Sequence, residues 1–138
     1  MLTDYFVADA ADAELIANSY ELAAELSTKN ADNIVLAGLW LAINGSTDAE
    51  RLEGDDFIVA QGGADGPWVF DIPNDFISAL VNLPESEAAE VCQKWAKSEE
   101  MVIQEVSAQD LVQPLKQLQD VASLANNSGK RLFLRISM

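Results

Sequence analysis

The chain has 138 residues, 49% of them hydrophobic, and carries 8 basic against 23 acidic residues for a formal net charge of -15, with no histidine. That balance argues against nucleic acid and against anionic membrane surfaces, both of which are gripped by clustered Lys and Arg. Without histidine, Ser-His-Asp and Cys-His catalysis and His-built zinc sites are excluded, and the single cysteine, Cys92, can form neither an intrachain disulfide nor a thiolate cage.

The length is that of one domain, 1–138, which buries roughly two-thirds of its unfolded surface without needing a staple. The start, Met1-Leu2-Thr3-Asp4-Tyr5-Phe6, has neither the basic region nor the apolar core of a signal segment. The longest apolar stretch, Ile34 to Ile43, is about half of what crosses a bilayer. A cytoplasmic protein is the expectation.

In chain order, Tyr5-Phe6-Val7-Ala8 reads as a strand, and Asp9 to Asp12 supply helix-start chemistry for Ala13 to Ala17. Tyr20 to Ser27 is ambiguous: its Ala, Glu and Leu content favours helix, yet Leu22, Ala24 and Leu26 alternate as in a strand. Asn30 or Asp32 caps a helix from Ile34 to Ile43 that is apolar all round and is therefore expected to be surrounded by protein. Gly38 inside it admits a close neighbour, and Asn44-Gly45 ends it. Ser46 to Asp55 is polar and reads as loop.

Phe57-Ile58-Val59-Ala60 and Trp68-Val69-Phe70-Asp71-Ile72 read as two strands joined by Gly62-Gly63-Ala64-Asp65-Gly66-Pro67, the clearest hairpin signal in the chain. Asn74 or Asp75 caps a helix through Leu83, and Pro84 opens another predicted from Glu85 to Glu99, with a stripe of Ala88, Val91, Cys92, Trp95 and Ala96. Met101-Val102-Ile103 reads as a short strand or as the tail of that helix. Ser107 and Asp110 have capping-box spacing, and the helix after them carries Leu111, Leu115, Leu118, Val121, Ala122 and Ala125 on one face, with Pro114 as a kink or first-turn residue. Asn126 to Gly129 ends it, and Leu132 to Ile136 is a closing strand. The expected fold is α+β, with helices packed on a small, mostly antiparallel sheet around a central buried helix.

Little chemistry survives these exclusions. No G-x-x-x-x-G-K-[ST] or G-x-G-x-x-G loop occurs, and the glycines between Gly62 and Gly66 join strands and do not open a helix. Cys92 reads as buried filler, since no histidine is present to activate it. Glu99 and Glu100, near Trp95 and Ser98, are where acids meet an aromatic and a hydroxyl at helical spacing, although neighbours on one helix point about 100° apart. Trp68, beside Gly66-Pro67, is the tryptophan best placed for an exposed anchor, whereas Trp40 reads as core.

Asp4-Tyr5-Phe6 with Ala8, the region Lys29 to Gly45 around Leu39 and Ile43, Gly66-Pro67-Trp68-Val69, Trp95-Ala96-Lys97-Ser98-Glu99-Glu100 and Gly129-Lys130-Arg131-Leu132-Phe133-Leu134 occur in this order. Together they resemble a family of small bacterial proteins with no assigned activity, over nearly the whole chain. Met101-Val102 stands where that pattern has an aromatic, and Arg135 to Met138 replaces its usual end. The resemblance implies a complete single-domain bacterial-type protein and marks Tyr5, Phe6, Trp95, Ser98, Glu99 and Glu100.

Two functional readings remain. The favoured one is a non-enzymatic interaction protein with an acidic surface: an immunity-type or other binder of a basic partner, or a homo-oligomer, with Trp68, Trp95, Ser98, Glu99, Glu100 and Tyr5 as candidate binding residues and no cofactor. The alternative is a small hydrolase or ligand-binding domain using Glu99, Glu100 or Asp56, with or without Mg²⁺.

Overall fold

A computed structural model describes all 138 residues. Five strands, β1 (Leu2–Ala8), β2 (Leu26–Lys29), β3 (Ile58–Gln61), β4 (Trp68–Asp71) and β5 (Arg131–Ser137), form one antiparallel sheet in the order β2-β1-β5-β4-β3. Seven helices join them: α1 (Ala13–Asn18), α2 (Asn33–Asn44), α3 (Ala49–Glu53), α4 (Asn74–Val81), α5 (Glu85–Ala96), α6 (Glu99–Ile103) and α7 (Val112–Ser128). The fold is α+β, as the sequence predicts.

Residue alternation along the strands separates two cores. One cross-strand row, Leu26–Tyr5–Leu134–Phe70–Ile58, runs through all five strands and faces the larger core under α2 and α4 to α7. Phe6, Val69 and Phe133 point the other way and pack under Ala13, Ile16 and Ala17 of α1. Covered on both faces, β5 has an apolar run broken only by Arg135, whereas strands with one wet face alternate.

Helix α2 is the central one. Asp32 caps it by accepting the Val35 amide, and Gly45 closes it in the left-handed region at φ 66°. Trp40 stacks on Phe76 with ring centroids 5.2 Å apart. Enclosure is incomplete, because Ile34 and Leu41 reach solvent, so the apolar composition overstates the burial. A Cβ on Gly38 would sit 3.2 Å from Cβ of Ser98, and it is this close approach that seats the α5–α6 corner on α2.

Several element boundaries differ from expectation. The segment read as loop between Ser46 and Asp55 contains α3, whose Ala49 and Leu52 are fully buried against α2. Two apolar residues three apart anchor a single turn, too little to register as periodicity. The side-chain amide of Asn33 donates to the carbonyls of Leu52 and Glu53 and so holds its C-terminal end. The helix predicted to run from Glu85 to Glu99 stops at Ala96. Ser98 is extended at φ -62°, ψ 151°, and Glu99 starts α6, so Met101 to Ile103 is helix and not strand. At α4 the cap position belongs to Pro73, and Asn74, read as a cap, begins the helix and accepts from Arg131. The ambiguous stretch resolves into turns followed by β2 from Leu26, with the amide of Glu25 donating to the carbonyl of Tyr5.

Candidate functional site

A cleft of about 170 Å³ lies between β2, α2 and the helices α5, α6 and α7. Its floor is apolar: Leu26 from β2, Val35 from α2, Trp95 from α5, Met101 from α6 and Leu118 from α7. Its rim is polar, with Lys29, Asn30, Gln104, Asp110 and Gln117. Leu26 and Gln117 also line an adjoining depression with Glu25, Asp120 and Leu124, so a groove continues between β2 and α7.

Trp95 is buried and anchored by its indole N–H, which donates to the Val35 carbonyl at 3.1 Å. Asp110 closes the predicted capping box: the Ser107 amide donates to its carboxylate, and its own amide donates to the Ser107 hydroxyl, both at 3.2 Å. Hydrogen bonding of the Ser107 amide, and secondarily of the Ser107 hydroxyl, to the Asp110 carboxyl holds it below the usual carboxylate range, so this rim group is an anion at neutral pH and a weak base. The apolar floor suits an apolar side chain, and of the two charged groups on the rim Asp110 would favour a cation beside it while Lys29 would oppose one.

Tyr5 lies beneath the cleft. It is fully buried and donates its hydroxyl to the carbonyl of Ala31 at 2.6 Å. Burial pushes the phenol well above its ordinary 10.0, and the nearby Asp32 carboxylate adds to the shift. The folded state thus keeps a proton that the unfolded chain releases near pH 10, and stability falls as pH rises above that point. We expect denaturation midpoints to drop steeply above about pH 10, by roughly 1.4 kcal/mol per pH unit for this proton. Tyr5→Phe should remove that part of the slope while costing about 1 kcal/mol at pH 7 through the lost hydrogen bond. An unchanged alkaline slope in the variant would refute the assignment.

The remaining candidates are dispersed. Ser98 turns the chain between α5 and α6 and touches the Gly38 position. Glu99 and Glu100 occupy the first turn of α6, where carboxylates complement the helix dipole, and neither lines the cleft. The break falls before the pair and not between them, so their side chains still diverge. Trp68 is half-buried and lines a separate depression with Asp32, Asn33, Asp55 and Ile136. Asp56 is exposed and paired with Arg51 at 2.9 Å. Cys92 is buried, which pushes its thiol up and leaves it protonated. Of the six candidates, the structure brings only Trp95 into the cleft, with Tyr5 bonded to the Ala31 carbonyl beneath it.

Leu26, Met101, Asp110 and Gln117 were not singled out from the sequence. The alternation of Leu22, Ala24 and Leu26 and the Ser107–Asp110 box were the available signals, but neither says that β2 and α7 meet. No group of three or more His, Cys, Asp or Glu side chains is placed to hold a metal ion, and no helix is long and apolar enough to cross a membrane. No protein family, curated protein or solved structure matches the chain.

Proposed function

We propose that this chain is a non-enzymatic interaction protein that receives a basic protein partner, seated at the cleft between β2, α6 and α7. The observation that carries this reading is an apolar floor at the end of the sheet whose cleft and adjoining groove carry three carboxylates, Asp110, Glu25 and Asp120, against the single base Lys29, on a molecule of net charge -15. An apolar floor supplies affinity by desolvation, and the surrounding charge speeds approach of a cation and disfavours acidic competitors. Four of the eight basic residues are tied to acids, Arg51 to Asp56, Lys94 to Glu90, Arg131 to Asp71 and Arg135 to Asp4, which leaves four bases against nineteen acids outside ion pairs. An immunity-type role against a basic toxin in the cytoplasm fits this surface, and like-charge repulsion weighs against self-association.

The test is thermal denaturation with a lysine-rich peptide at low and high salt. Binding to the folded state raises Tm with peptide concentration, and screening shrinks the rise. Absence of any rise at low salt would overturn the proposal.

A further inference from the structure

Strand β2 ends the sheet, so one of its edges has no neighbouring strand. An open edge offers backbone hydrogen bonds to a second extended chain. The two β2 side chains that face the larger core, Leu26 and Thr28, also line the cleft, so the open edge and the apolar floor are contiguous. Lys29, at the end of the strand, is the one base on this rim.

We infer that β2 accepts an extended, basic segment of a partner protein as a sixth strand, with one apolar side chain of that segment inserted into the cleft. This rests on the basic-partner reading and adds how the partner is held there. Inward-pointing side chains of an added strand recur every second residue, about 6.6 Å apart. The cleft, at about 170 Å³, matches one aromatic side chain, since a cavity of ~150 Å³ holds a benzene ring. A basic residue two positions along would reach the adjoining groove, where Glu25 and Asp120 supply carboxylates, and Asp110 supplies another at the cleft itself. A second copy is the poorer occupant, because edge-to-edge pairing would bring two chains of charge -15 together with Glu25 and Asp120 on both sides.

The probe is a Thr-Lys-Thr-Phe-Thr-Lys-Thr peptide, compared with an all-lysine peptide and with a version in which Phe is replaced by Ala. We expect the Phe peptide to bind more tightly than either control and to slow amide exchange at residues 26–29. Gln117→Trp, which fills the groove shared by both depressions, should raise its Kd about tenfold, in line with loss of an anchor pocket. Asp120→Lys, at an exposed position, should weaken binding and flatten its salt dependence even if Gln117→Trp fails to fold. If all three peptides bind wild type equally, with exchange at β2 unchanged and the Asp120→Lys variant binding as well as wild type, the sixth-strand proposal and the seat at the cleft fall, and only the basic-partner reading stands. If none binds at low salt, both fall. A dimer in light scattering whose formation slows exchange at residues 26–29 would assign the edge to a second copy and overturn the proposal.

Discussion

Arg135→Met is expected to lower unfolding free energy by about 3–5 kcal/mol, the usual cost of stripping one partner from a buried ion pair. For a chain of this length that corresponds to a loss of about 10–20 °C in Tm. Arg135 lies on the smaller-core face of β5, with its side chain only 5% exposed. Its guanidinium donates to Asp4 at 3.1 Å and to the carbonyls of Ile16 and Ser19 at 3.0 and 2.8 Å, so it ties the end of α1 to the sheet. It lies 4.7 Å from the Phe6 ring centroid and 5.2 Å from that of Tyr20, which gives the exposed Tyr20 a structural task. Register explains the pairing: Ser27, Asp4 and Arg135 are direct neighbours across three adjacent strands, and the Ser27 hydroxyl donates to the second Asp4 oxygen at 2.7 Å.

Methionine keeps much of the apolar stem but leaves a nearly buried carboxylate and two carbonyls without their donor. The double variant Asp4→Asn/Arg135→Met should therefore cost less than the sum of the single changes, with a coupling of about 1–3 kcal/mol. Chemical denaturation of the four proteins measures it. Additive costs would show that Arg135 does not act through Asp4.

At the other core, Trp95→Ala should cost about 3–5 kcal/mol, as large-to-small changes of a buried indole do. The same change opens the floor of the cleft, so it should also weaken binding of the Phe-containing peptide. Trp95→Phe separates the terms. It keeps most of the apolar contact and loses the hydrogen bond to Val35. Trp40 provides the contrast, since its indole N–H is buried without a partner while its ring stacks on Phe76. Trp40→Phe should thus be about 1 kcal/mol milder than Trp95→Phe, because no hydrogen bond is lost and an unpaired donor is removed. Equal costs at the two positions would contradict this account of the Trp95 anchor.

The legibility of these features follows from where their information lies. Helix α2, the β3–β4 hairpin, the Ser107–Asp110 box and the closing strand are set by residues close in sequence, through periodicity, caps and turn glycines, and all are readable before folding is considered. The one-turn helices α3 and α6 were missed or displaced because a five-residue helix contributes too few positions for a pattern and is held by distant partners, Asn33 for α3 and the Gly38 notch for α6. At the candidate site Trp95 was legible as an aromatic on a patterned helix. Glu99 and Glu100 stood out for an aromatic and a hydroxyl at helical spacing, and that spacing is lost because the helix stops at Ala96 and a new one starts at Glu99.

By itself the sequence determined an acidic α+β chain without histidine, with its long elements and the chemistries they exclude, since charge and periodicity are additive over local residues. Only the tertiary structure decided that β2 would lie at the sheet edge beside α7, leaving a cleft there, and that Arg135 would meet Asp4 across the strands. Both depend on strand order and register, which are fixed when residues more than 80 positions apart come to pack against one another, Leu26 with Gln117 and Asp4 with Arg135, and no local pattern encodes which pair will meet.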